Sequence, residues 1–185
     1  MAIFSRLPKL QQLLPVYAVI VMMTYGWTLL WFLWKVPSWM YFLSLVDIFG
    51  IFAYTLAIDF LESLAILLLL VVICLFLPRK WFYDSFVIRG SASAILFLGY
   101  LMYFSYSFKT IEVKDYPQGL ANWTPVIVAL ILGLVFLFGK IGLLGKAVEE
   151  LSLRAVIFLY ISIPISTVAL LYVVVRNLYF GFLNG

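Results

Sequence analysis

The residues equipped for chemistry in this chain are few, and they sit in unexpected company. Asp59 and Glu62 head the run "LAIDFLESLAILLLLVVICLFL" (56–77), which is apolar enough to cross a bilayer, and Asp47 precedes them on the same stretch. Ionisable side chains in such segments are costly and mark ion pathways or polar contacts. The three acids are therefore candidates for proton or cation handling, or for holding a partner. The competing reading puts them at the bilayer edge, solvated or paired with Lys35. If Leu77 and Pro78 mark the inner edge, Asp59 lies about 27 Å up a helix and Glu62 about 22 Å, at and just under the far side of a core about 30 Å thick.

Trp27, Trp31 and Trp34 form a second set, spaced i, i+4, i+7 along one helical face. They suit a stacking wall for a quinone, a carotenoid or another flat lipid. They equally suit an aromatic belt at the membrane surface, with Trp39 just beyond and Trp81, Phe82 and Tyr83 as the belt on the opposite side.

The missing residues exclude much. There is no histidine, so bis-His haem, zinc sites that use His and Ser–His or Cys–His nucleophile pairs have no residue to build on. The single cysteine, Cys74, can form no internal disulfide. "GKIGLLGK" (139–146) lacks the spacing of a phosphate-binding loop, and its glycines read instead as a loosened helix end. No catalytic residue, metal ligand set or cofactor is expected, although a bound lipid, pigment or quinone is compatible with the aromatic wall.

The elements that must position these side chains follow from composition. The chain is 66% apolar and 11% charged, with a mean hydropathy of +1.17. Soluble domains run nearer 45–50% apolar and about 25% charged, so lipid is the solvent that suits this one. The net charge of +4 is scattered, and no basic block points to nucleic acid. The expectation is an all-α, polytopic membrane bundle in a single transmembrane domain, integral to a bacterial-type plasma (inner) membrane.

Four spans are easily placed at about 14–34, 91–108, 125–144 and 155–175, each near the roughly 20 residues a crossing needs. The first is too long for a signal-peptide core and reads as a retained span. The stretch 39–77 is harder, because as one helix it would be about 58 Å long, roughly twice the hydrocarbon core. One span at 59–77 gives five in all, leaving 41–57 interfacial or re-entrant; two give six. Charge favours five with a cytoplasmic N-terminus. Arg6, Lys9, Arg79, Lys80, Arg89, Lys140, Lys146 and Arg154 are then inside, against Lys35, Lys109, Lys114 and Arg176 outside. Six spans would leave more cations outside than in.

Ser44, Asp47, Tyr54, Thr55, Asp59 and Glu62 fall on one helical face, a polar stripe that needs water, another helix or another protein. Elsewhere, Gly90 and Ala94 make a small-xxx-small contact, and Tyr100, Tyr103 and Tyr106 pack or form a ladder. Lys146, Glu149, Glu150 and Arg154 form a short charged helix face, and Pro164 lies mid-span. With no catalytic constellation, the expected function is a non-catalytic subunit that assembles, anchors or scaffolds a membrane complex. Its partners would be lipids and other integral membrane subunits. The alternative is a small transporter or channel component using Asp59 and Glu62.

Overall fold

The apolar runs fold as long α-helices. The computed structural model describes residues 8–76, 85–110 and 118–183. Leu77, Arg79, Lys80 and the aromatic residues Trp81, Phe82 and Tyr83 lie outside them, as do residues 111–117 of the 109–123 loop. The described residues form five helices: α1 (Leu10–Trp39), α2 (Leu45–Phe76), α3 (Phe86–Thr110), α4 (Gln118–Phe138) and α5 (Gly142–Leu183). Each is long and apolar enough to cross a membrane.

Residues 45–57 are neither a separate span nor a detached surface segment. They are the first half of α2, which runs unbroken for 32 residues. A capping box starts it: the Ser44 N–H donates to Asp47 Oδ2 at 3.2 Å, and the Asp47 N–H donates to Ser44 Oγ at 3.3 Å. At the other end of the chain, the expected 125–144 span is cut short. α4 stops at Phe138, a turn follows, and α5 begins at Gly142 and continues for 42 residues, taking in 155–175. Arg89 explains the break. Its guanidinium occupies the space a side chain on residue 139 would need and lies over the Phe136 ring at 5.4 Å. Glycine at 139 admits the cation and ends the helix at little cost.

Successive helices alternate in direction. Tyr17 of α1 meets Ser63 of α2, whereas Thr28 meets Asp59, so these two run antiparallel. The start of α1 and the α2–α3 and α4–α5 connections therefore share one end of the bundle. α1 is the central helix, packed against α2, α3 and α5, while α4 rests mainly on α3 and touches α5 lightly. Val16, Ala18, Val19 and Ile20 are all 0% exposed although they point in different directions, so α1 is ensheathed on every side at this level.

Close approach is achieved with small residues. Along α5 the buried positions are Gly145, Val148, Ser152, Ala155, Leu159, Ser162, Ser166 and Ala169, spaced alternately three and four apart. On α3, Gly90 faces Val16 of α1 so tightly that a methyl there would come within 3.1 Å of Val16 Cγ2. In an apolar solvent, packing of this kind and hydrogen bonds between helices replace the hydrophobic effect as the cohesive force.

Candidate functional site

Part of the polar stripe of α2 is partnered by helices of the same chain: Tyr54 and Asp59 reach them, while Ser44, Asp47 and Glu62 stay exposed. Near its start, the Tyr54 hydroxyl donates to Asn177 Oδ1 of α5 at 2.6 Å, and the Arg176 guanidinium stands over the Tyr54 ring at 5.8 Å. One turn further in, Asp59 faces α1, where the Thr28 hydroxyl donates to its Oδ1 at 2.9 Å. Beyond it, the Tyr17 hydroxyl donates to Ser63 Oγ at 3.2 Å, because the Ser63 hydroxyl is already committed to the Phe60 carbonyl at 2.9 Å. The stripe thus fastens α2 first to α5 and then to α1.

The three candidate acids part company within this arrangement. Asp47 is exposed and engaged with Ser44, so it serves as a helix cap; the S-x-x-D spacing "SLVD" was the signal for it. Asp59 is only 4% exposed. Among the described residues its Oδ2 has no hydrogen-bond partner, and no ion pair involves it. Glu62, one turn along, is exposed and faces a partly open cavity of about 290 Å³ between α1, α2 and α3. Thr24, Trp27, Thr28, Leu98, Leu101, Met102 and Ser105 complete its lining. The two carboxylates lie within electrostatic range of each other.

A buried carboxylate normally accepts two or three hydrogen bonds or meets a cation. Asp59 has one hydroxyl donor. An unsatisfied buried polar group costs about 1–3 kcal/mol, more when charged, and an acid well inside a bilayer costs about 2.5–3.5 kcal/mol on insertion scales. Lys35, on the end of α1, lies seven residues and so about 10 Å along the helix from Thr28, and its ammonium rests near the Trp39 ring at 5.9 Å instead. The pairing of the acids with Lys35 weighed from sequence is not made.

Further hydroxyl groups are buried elsewhere among these helices. Tyr25 and Ser166 share a 2.6 Å hydrogen bond between α1 and α5, and the Tyr25 phenol is within electrostatic reach of Asp59. Thr24 is turned back on its own helix, donating to the Ile20 and Val21 carbonyls. Ser162 Oγ is buried with no partner among the described residues. The three-and-four spacing of Ser162 and Ser166 with Ser152 and Ala155 is the sign in the sequence that they face inward.

The tryptophans do not make a single wall. Trp27 lines the cavity and meets Trp31 edge to face at 5.5 Å, whereas Trp34 is 79% exposed. Tyr100 is a crosslink between α3 and α4 through a 2.7 Å hydrogen bond to Thr124 Oγ1, while Tyr103 and Tyr106 face outward. Among the described residues, no three His, Cys, Asp or Glu side chains converge to hold a metal ion. No known protein family, curated protein or solved structure matches this chain.

Proposed function

We propose that the chain is an integral membrane protein of five spans, with its N-terminus cytoplasmic, that binds and releases a proton or small cation at Asp59 as a small transporter or channel component. One observation carries this reading. Asp59 is a carboxylate buried among helices, half satisfied and unpaired among the described residues, beside a cavity with polar side chains in its lining. A group that merely joined two helices would be better served by an amide or hydroxyl, which costs less to bury. Orientation is supported by charge: Lys9, Arg89, Lys140, Lys146 and Arg154 belong to the end that holds the N-terminus, against Lys35, Lys109 and Arg176 at the other.

The test is flux. Purified protein in liposomes should dissipate an imposed proton, Na⁺ or K⁺ gradient, and Asp59→Asn should abolish that flux while helix content and elution volume stay unchanged. Equal flux from wild type and Asp59→Asn would sink the reading.

A second reading, that of a scaffolding subunit, has a specific observation in its favour. α2 is 32 residues, about 48 Å long, and even a 40° tilt spans only about 37 Å of that across a core of roughly 30 Å. The start of α2 and the turn before it expose apolar side chains: Tyr41, Phe42, Val46 and Phe49 are all at least 70% exposed. If a partner subunit covers this tip, labelling at Tyr41→Cys in native membranes should be blocked, and released once the partner is removed.

A further inference from the structure

We infer that the ligand of Asp59 is a proton rather than a metal cation, that it binds at Oδ2, and that Glu62 passes it between the cavity and Asp59. The inference rests on the proposed ion-binding role in one respect only, that Asp59 changes its ligation state.

Space decides between the two ligands. Asp59 Oδ2 is sealed from contact with even a water-sized sphere, and it does not line the cavity. A dehydrated cation needs a coordination volume and several oxygen ligands around it. A proton needs neither. The two oxygens of Asp59 are also not equivalent. Oδ1 accepts from the Thr28 hydroxyl at 2.9 Å, an interaction that survives in both protonation states, whereas Oδ2 has no donor to displace among the described residues. Adding a proton to Oδ2 removes the buried charge and breaks no hydrogen bond.

Position assigns the route. Glu62 lies three residues on from Asp59, so both project from neighbouring faces of α2 one turn apart. Glu62 opens onto the 290 Å³ cavity, which has Thr28 and Ser105 as further polar lining and room for several water molecules. The transfer balances simply: hydronium in the cavity protonates Glu62, rotation of the Glu62 side chain brings its carboxylic acid within hydrogen-bond reach of Asp59 Oδ2 and hands the proton over, and Glu62 returns to the cavity as carboxylate. Release is the reverse.

Among the described residues, no carboxylate other than Glu62 and no cation is placed against Asp59. From α1, Asp59 is faced by Thr28 and Tyr25, with Tyr17 further along at Ser63. From α5, the nearest charge is Arg176, which packs against Gly50, nine residues and so about 14 Å along α2. The residues of α3 that line the cavity carry no titratable side chain.

The experiment is pH-difference infrared spectroscopy on the full-length protein in lipid nanodiscs, in sodium, potassium and choline chloride at equal ionic strength. The expected result is a carboxylic-acid carbonyl band that grows as pH falls, is absent in Asp59→Asn and is identical in the three salts. Glu62→Gln should keep the band but slow its appearance after a pH jump by at least about tenfold, as loss of a positioned proton-transfer group does. Thr28→Val should move the band in frequency without removing it, which shows that Asp59 is observed in a folded protein. A band that sodium or potassium suppresses relative to choline overturns the proton assignment in favour of a cation. A band kinetically unchanged in Glu62→Gln overturns the relay. No titrating band in wild type overturns both. A normal titration in protein that carries no flux would refute the transport reading and leave the proton site standing.

Discussion

The hydroxyl oxygens of Tyr25 and Ser166 lie 2.6 Å apart across 141 residues of sequence, joining the central helix α1 to α5. Both side chains are buried, so removing either strands the other. Tyr25→Phe and Ser166→Ala should each lower stability in detergent by about 1 kcal/mol. The double variant should lose clearly less than the sum, since it leaves no orphan. A denaturant-unfolding cycle measures the coupling; strict additivity would mean that the bond contributes nothing.

Gly50 and Arg176 share a space that holds only one side chain. A Cβ on residue 50 would come within 2.6 Å of Arg176 Nη1. Gly50→Ala should be tolerated, because a guanidinium at the end of a long side chain can swing aside. Gly50→Leu should cost about 1–3 kcal/mol through overpacking. Thermal melts of the two variants beside wild type give the comparison, and an equal loss from both would contradict it.

At Gly90 the obstacle is stiffer. Val16 presents both methyls to it, at 3.1 and 3.3 Å from where a Cβ would stand, and a β-branched side chain has one favoured rotamer in a helix. Gly90→Ala should therefore destabilise by about 1 kcal/mol or more, and Val16→Ala in the same chain should recover part of that. A double variant worse than Gly90→Ala alone would rule out this contact as the cause.

Capping and ion binding separate at the start of α2. Ser44→Ala removes the hydroxyl that engages Asp47 and should lower stability by about 0.5–2 kcal/mol. Its ion flux per folded molecule should equal that of wild type. A flux defect with normal stability would return Asp47 to the functional site.

Sidedness can be read with an impermeant thiol reagent in a Cys74→Ala background. Ser38→Cys and Lys140→Cys, at opposite ends of the bundle, should label from opposite faces of sealed vesicles, with position 140 cytoplasmic. Labelling of both from one face would break the alternating arrangement.

The number of helices was legible because lipid imposes length and hydropathy on any chain that crosses it. The break after Phe138 was hidden by the apolar character of its surroundings, and only Gly139 and Gly142 betrayed it. That Asp59 lies within a long apolar helix followed from its neighbours in sequence, but its direction did not. In a helix apolar on every face, periodicity says nothing about which side turns inward, and hydroxyl partners such as Thr28 are supplied by another helix. The polar stripe of α2 was visible, whereas its division between α5 and α1 required the crossing of three helices to be known.

The position of α1 has a consequence for how the protein is made. Among the described helices, α1 is made before the rest and is the one enclosed most completely, yet part of its enclosure is α5, made after the other four. Until then Tyr25 has no Ser166 to meet. Chains generally fold from the N-terminus during synthesis, but this core cannot close in that order. The earlier helices must wait for it, so a transcript cut short anywhere before α5 yields a product whose centre lies open on one side.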